Sequence, residues 1–187
     1  MHLLEGGTVA DADGTLEADV AIDGDHVAVV GDVPESDVDS RTDVSGQFVV
    51  PGMIDTHVHL MMDGRANAES VQGDSEATLA YRAANNLRNA LHAGVTTIRD
   101  LGAPASVAID AREAVAEGTI AGPRVQACGQ NVTMTGGHGH WFGREADGPY
   151  EVRKAVREQL KKGADAVKGM ATGGVLTTGA KIGAPEL

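Results

Sequence analysis

Positive charge is what this sequence most lacks: five Lys and ten Arg stand against 16 Asp and 11 Glu, giving a formal net charge of -12 over 187 residues. Such a surface repels nucleic-acid phosphates and anionic membranes, which argues against a nucleic-acid-binding or membrane-surface role. Little lysine with abundant aspartate is the balance of proteins from salt-loving organisms, and equally of an ordinary acidic cytosolic protein. The one cysteine, Cys128, excludes an internal disulfide framework and suits a reducing compartment. Lying between Val125-Gln126-Ala127 and Gly129, it reads as a small residue near a strand end and not as a nucleophile. No run of about 18 apolar residues is present, so no transmembrane helix is expected. Met1-His2-Leu3-Leu4-Glu5 has no basic segment leading into an apolar one, so no signal peptide is expected and the expected location is cytoplasmic.

What the sequence does have is a hydrophobic share of 42%, enough for a packed core, arranged in two styles. Residues 1–50 have strand-and-turn character. Ala18-Asp19-Val20-Ala21-Ile22-Asp23 alternates, Gly24-Asp25 turns, and His26-Val27-Ala28-Val29-Val30 alternates back, which predicts a hairpin. Gly31 to Val44 reads as an acidic connection, and Gln47-Phe48-Val49-Val50 as a further strand. His2 and His26 read as ordinary surface or edge residues.

After Pro51 the pattern becomes strand, helix, strand. Met53-Ile54 predicts a buried strand start running to His57-Val58-His59. Ser75-Glu76 opens a helix carrying Leu79, Ala83, Leu87 and Leu91, which Gly94 stops. Val95 to Asp100 is a second strand, and Pro104 and Ser106 open a helix with Val107, Ala111 and Val115 on one face. Pro123 to Cys128 is a third strand, followed by a long glycine-rich loop from Gly129 to Gly148. Val152, Val156 and Leu160 mark a third helix, Asp165 to Lys168 a fourth strand, and Gly169 to Leu187 a loop-like tail. Strands alternating with helices imply right-handed crossovers and a parallel sheet. Four strands and three helices make half of a (β/α)8 barrel, a fold that needs about 250 residues when complete.

Reactive groups in such barrels come from the carboxyl ends of the strands and the loops behind them. His57 and His59 follow the first strand, Asp100 the second, His138 and His140 lie in the loop after the third, and Lys168 ends the fourth, so all point to one mouth. His57 and His59 project to one face, because side chains along a strand alternate with period two, and together they can grip one ion. A strand that merely carries two partly exposed histidines has the same spacing. Thr135-Gly136-Gly137-His138-Gly139-His140-Trp141 gives two imidazoles room to reach a substrate and backbone donors room to approach an anion; a flexible solvent loop has the same composition. Asp100 can orient an imidazole, pair with Arg99, or cap a turn. Asp55 reads as a structural hydrogen-bonding partner. A lysine buried near cations loses its proton and can then add carbon dioxide, whereas one that snorkels to solvent cannot.

The string Val49-Val50-Pro51-Gly52-Met53-Ile54-Asp55-Thr56-His57-Val58-His59-Leu60 resembles the signature of the amidohydrolase superfamily, metal-dependent hydrolases built on a distorted (β/α)8 barrel. Within it the chain is similar to the imidazolonepropionase-like and Xaa-Pro dipeptidase-like branch. The resemblance implies that residues 1–50 are part of a composite β-sandwich and that residues 51–187 are the first half of the barrel, ending after strand four. It implies His57 and His59 as metal ligands and Lys168, N-carboxylated, as an anionic oxygen ligand able to bridge two cations; one or two divalent ions, zinc first, are expected. It places His140, and after it His138, against the substrate, with a third-strand metal ligand as the alternative for that loop, and Asp100 behind the ligands. The remaining ligands and the proton-shuttling aspartate would belong to later strands, so no catalytic acid or base is expected in this chain. Hydrolysis of a C–N bond in a cyclic amide or dipeptide-like substrate is the implied reaction, inactive without the later strands. The alternative is a non-catalytic half-barrel that binds or oligomerises; a homo-oligomer or a complementing carboxyl-terminal half is the expected macromolecular partner.

Overall fold

The computed structural model describes residues 1–186, and the chain divides into two units, Met1–Pro51 and a second that begins at Gly52.

The first unit is built of two sheets. Strands β1 (His2–Glu5), β4 (Val20–Asp23), β5 (His26–Val30) and β6 (Ser40–Asp43) form one, in the order β5-β4-β1-β6. Strands β2 (Thr8–Asp11), β3 (Gly14–Glu17) and β7 (Phe48–Val49) form the other, in the order β3-β2-β7. The predicted hairpin is β4 against β5, turned by Gly24 at φ +60° and bulged between Ala21 and Ile22. Leu3 of β1 and Val20 and Ala21 of β4 are the buried apolar residues of that sheet. The connection expected from Gly31 to Val44 is not all loop, since β6 lies in it, parallel to β1 with Leu3 opposite Arg41. Every residue of β6 is exposed, so no hydrophobic alternation announced it; the backbone ladder holds it, helped by His2, whose ring nitrogens reach Ser40 Oγ at 2.7 Å and Thr42 Oγ1 at 3.0 Å.

The second unit carries a parallel sheet in the order β10-β9-β8, with β8 (Met53–Val58), β9 (Val95–Asp100) and β10 (Arg124–Ala127). Asp100 lies opposite both Val58 and Ala127, which brings the carboxyl ends of the three strands level. Helix α1 (Glu76–His92) joins β8 to β9 and helix α2 (Val107–Ala116) joins β9 to β10. Ser75 caps α1 by accepting Thr78 N–H at 3.2 Å, and Leu79, Ala83 and Leu87 are buried as the helical spacing requires. Burying a leucine side chain is worth about 1.5–3 kcal/mol, so this stripe and α2's Val107, Ala108, Ile109 and Ala111 anchor both helices to the sheet. Helix α3 (Gly148–Lys161) buries Ala155 and Gln159 beside a smaller cluster with Val132 and Ala146. The loop before it is ordered, with the two-residue strands β11 (Val132–Thr133) and β12 (Arg144–Glu145) paired inside it.

Two expectations need correction. The stretch Asp165 to Lys168 is not a strand: Ala127 O accepts Asp165 N–H at 2.8 Å, Lys168 O accepts Val132 N–H at 2.7 Å, and a single bridge joins Val132 to Gly169. Asp165 itself disturbs the ladder there, because its carboxylate takes Ala127 N–H at 2.9 Å and Arg112 Nη1 at 2.7 Å. Nor is the start of β8 buried, for Met53 and Ile54 are 55% and 67% exposed. Among the described residues β8 pairs only with β9, so nothing covers its other side.

Candidate metal centre

His57 ends near the tip of β8 and His59 lies just past it, with ring centroids 5.6 Å apart in an edge-on arrangement. His59 Nδ1 lies 2.9 Å from Gly102 O. A carbonyl only accepts, so Nδ1 carries the proton and Nε2 keeps its lone pair, the state a metal-binding imidazole needs. Phe142 packs edge-on against the same ring at 5.3 Å and is buried. Gly102 fits there because it has no side chain: its φ is +145°, and a Cβ would lie 2.9 Å from both Asn131 Oδ1 and a Phe142 ring carbon. Buried Asn131 in turn reaches Gly139 O through Nδ2 at 3.4 Å, linking the glycine-rich loop to the wall behind His59.

Asp100 is fully buried, yet it bonds no imidazole. Its Oδ2 accepts Leu60 N–H at 2.7 Å and its Oδ1 accepts Gly102 N–H at 2.9 Å. It therefore clamps the segment after His59 to the residue whose carbonyl holds His59. Burial pushes its pKa up to about 6, against the pull of the two N–H donors and of His57. Arg99 does not pair with it but donates to Thr56 O at 2.9 Å, and Asp55 accepts His57 N–H at 3.2 Å. The turn after His59 is further held from α1: Asn86 Nδ2 donates to Leu60 O at 2.9 Å and Met62 O at 2.7 Å, and Arg82 donates to Met61 O at 3.1 Å.

Burial lowers the pKa of His57, His59 and His138, and the ammonium of Lys168 lowers all three further. Neutral imidazole is thus the favoured form around Lys168, which suits lone-pair donation. The fold brings His57, His59, Lys168 and His138 into one electrostatic neighbourhood. His138 is fixed through its backbone N–H, which Glu186 accepts at 2.8 and 3.0 Å, and its buried Nδ1 has no partner among the described residues. His140 turns back onto its own loop, with Nδ1 3.0 Å from Gly137 O. Sequence reasoning puts His140 first for substrate contact; the structure supports His138 no less, since burial and then the charges of Lys168 and His59 lower its pKa. Residues that reasoning missed are Gly102, Asn131, Phe142 and Glu186, of which only Gly102, two residues after a strand-end aspartate, carried a local signal.

Over the histidine pair lies an open hollow of about 260 Å³ whose walls include Met62, Asp63, Arg65 and Leu176. Leu176 belongs to the tail, which is tied to the rest of the unit through Thr177 and Thr178 as well as through Glu186. Thr177 Oγ1 accepts Gly139 N–H at 2.8 Å, and Glu69 accepts Thr178 N–H at 2.7 Å and its hydroxyl at 3.1 Å. Cys128 is buried, and burial first, then Asp100, pushes its thiol up to about 12, which removes it as a nucleophile.

Residues 48–187 match the model of the amidohydrolase family. The chain belongs to the amidohydrolase family. Ochratoxinase of Aspergillus niger is 31% identical over 156 residues, 69% of this chain and 32% of that enzyme. Imidazolonepropionase of Micrococcus luteus is 30% identical over 164 residues, 75% of this chain and 40% of the relative. A solved Xaa-Pro dipeptidase with methionine in its active site is 29% identical, with a TM-score of 0.88 over all of this chain and 50% of that one. This amidohydrolase chain thus spans 32–50% of the length of these three relatives. Amidohydrolases usually bind divalent metals, and the donors here fit such an ion in part: a histidine with its Nε2 left free, a second histidine beside it, and a lysine close enough to shift both. Among the described residues no three His, Cys, Asp or Glu side chains form a metal-holding group, so Lys168 must contribute if these residues are to make a three-donor site.

Proposed function

We propose that this chain supplies the amino-terminal half of a metal-dependent hydrolase of carbon–nitrogen bonds, acting on a cyclic amide or dipeptide-like substrate. In this reading residues 51–187 are the first half of a (β/α)8 barrel and residues 1–50 a share of a β-sandwich. Support comes from parallel β8, β9 and β10 with a helix in each crossover, and from relatives of which the chain covers half or less. The observation that carries the reading is the state of His59, tied at Nδ1 to a backbone carbonyl and so left with a free Nε2. His57, His59 and Lys168 would hold the ion, zinc first among the candidates. When bound, it supplies Lewis acidity toward a carbonyl and makes a water acidic.

The chain's own residues do the rest. Burial keeps the imidazoles unprotonated, and the Gly102 carbonyl with the Phe142 ring keeps His59 from turning. Addition of carbon dioxide to a neutral Lys168 amine would form an N–C bond, release one proton and provide an anionic carbamate oxygen. His138 and His140 face the substrate, His138 from the side of the histidine pair. The proton-shuttling group is not among these residues, so the chain alone is expected to be inactive and to gain activity with a polypeptide supplying the later strands. The unpaired edge of β8, together with the exposed side chains of Met53 and Ile54, favours a second reading, a half-barrel that binds or oligomerises without catalysis.

Metal analysis and Xaa-Pro dipeptide hydrolysis, with and without the complementing half, separate the two. Stoichiometric zinc that disappears in His57→Ala and in Lys168→Ala is the expected result. Normal zinc content in His57→Ala refutes the ligand assignment, and metal-free protein under all conditions favours the second reading.

A further inference from the structure

The chain's negative charge is very unevenly divided. Residues 1–51 hold twelve acidic side chains and a single basic one, Arg41, so they carry -11 of the -12. Arg41 is itself occupied, paired with Glu5 at 3.1 Å and with Glu35. Residues 52–187 are nearly balanced, with 15 acidic and 14 basic side chains. Within them the basic residues concentrate on one helix. Arg153, Lys154, Arg157 and Lys161 recur at the three- and four-residue spacing that aligns them along the outward face of α3, opposite buried Ala155 and Gln159.

That face is poorly neutralised by its own chain. Lys154 approaches Glu158 at 3.9 Å, but Glu158 is already bound to Arg144 at 2.8 Å. Arg153, Arg157 and Lys161 have no ion-pair partner among the described residues, although the chain carries 27 carboxylates. Arg153 lies over the ring of Tyr150, 5.8 Å from its centroid. Tyr150 and Leu160 stand 81% and 54% exposed, and the side chains around Tyr150 and Arg157 enclose a shallow hollow of about 310 Å³. Arginine and tyrosine beside exposed apolar surface are what the centres of protein interfaces favour. The carboxylates that would complement this stripe are present on every copy, in its Met1–Pro51 unit.

We propose that the outward face of α3 docks the acidic Met1–Pro51 unit of a second copy of this chain. The contact is heterologous, one unit's carboxylates against another copy's Arg153, Lys154, Arg157 and Lys161, with Tyr150 and Leu160 as its apolar contacts. It does not depend on the hydrolase reading. Its strength falls with salt, because the screening length drops from about 30 Å at 0.01 M to about 3 Å at 1 M. Association through the bare edge of β8 would respond oppositely, since apolar contact is not weakened by salt.

Sedimentation velocity on the whole chain at 20 mM and 500 mM NaCl tests this. The expected result is self-association at low salt with a dissociation constant at least tenfold weaker at high salt. Arg153→Glu/Arg157→Glu/Lys161→Glu should be monomeric at both, and the milder Arg153→Gln/Arg157→Gln/Lys161→Gln should fall between, both keeping the wild-type circular dichroism. Carbodiimide cross-linking of mixed 14N and 15N chains should join Lys154 or Lys161 to carboxylates of residues 1–51 of the other copy. A wild-type chain monomeric at low salt overturns the proposal, whether or not it binds single-stranded RNA or phosphatidylserine vesicles. So does undiminished association of the triple Glu variant, or intermolecular cross-links from these lysines only to residues 52–187.

Discussion

Replacing Gly102 by alanine tests the framework behind His59 at its tightest point. The methyl group would have to enter a space where Asn131 Oδ1 and a Phe142 ring carbon both stand 2.9 Å away, on a backbone held at φ +145°. Holding a non-glycine residue in so sparsely populated a conformation costs about 1–3 kcal/mol. Overpacking a buried site costs about 1–3 kcal/mol more. The sum, about 2–6 kcal/mol, is a large part of the 5–15 kcal/mol by which a typical domain is stable. Gly118 supplies the control, with φ +74° and nothing within 4 Å of where its Cβ would stand, so Gly118→Ala meets only the backbone penalty. Urea unfolding should therefore rank the chains wild type, Gly118→Ala, Gly102→Ala in falling midpoint at constant slope. Asn131→Ala removes one obstructing atom, and in the double variant with Gly102→Ala part of the loss should return, a coupling of about 0.5–3 kcal/mol. The 15N shifts of His59 should meanwhile show Nδ1–H in wild type and a mixed tautomer in Gly102→Ala. Equal stability of Gly102→Ala and Gly118→Ala, with an unchanged tautomer, would show that the Gly102 carbonyl does not hold the ring.

Asp100 makes stability pH-dependent with a definite sign. Its folded pKa of about 6 lies above the ordinary 3.8, so the stabilising protonated form is fully present below pH 3.8 and its contribution is lost as pH rises through 6. At 1.36 kcal/mol per pKa unit the loss is about 3 kcal/mol, and Asp100→Asn should flatten this part of the profile while costing about 1–3 kcal/mol at pH 7 for the backbone N–H left facing an amide NH2. Cys128 should resist iodoacetamide at pH 8 in the folded chain and react on unfolding in urea; rapid labelling of folded protein would contradict its burial.

The sequence announced whatever depends on periodicity. Leu79, Ala83 and Leu87 at helical spacing sit buried on α1, and the β4–β5 hairpin turns at Gly24 as its alternation required. β6 escaped notice because all four of its side chains face solvent, so its pairing is a matter of backbone bonds that leave no pattern in residue type. The segment Asp165 to Lys168 read as a strand because Ala166-Val167 is apolar, but the Asp165 carboxylate competes for the ladder donor of Ala127, which no composition reveals. At the candidate site, the histidine pair was legible as reactive types at a strand end, and Lys168 as a reactive type closing a stretch that only reads as a strand. Their supports were not: Asn131 and Phe142 meet Gly102 only through the packing of separate loops, and the clamp Asp100 makes between Leu60 and Gly102 uses main-chain atoms that every residue has.

The bond between Glu69 and Thr178 joins residues 109 apart in the chain. Contacts of such separation form late, because the entropy of closing the loop must be met before the contact contributes anything. The wall that Leu176 gives the hollow therefore depends on late contacts, a buried bond from Gly139 to Thr177 and exposed ones from Thr178 to Glu69. The histidine pair, whose supports lie between residues 59 and 142, is ready before its cover arrives. Local opening of the tail would thus widen a hollow that is already open, at far less free energy than unfolding the sheet that carries the histidines.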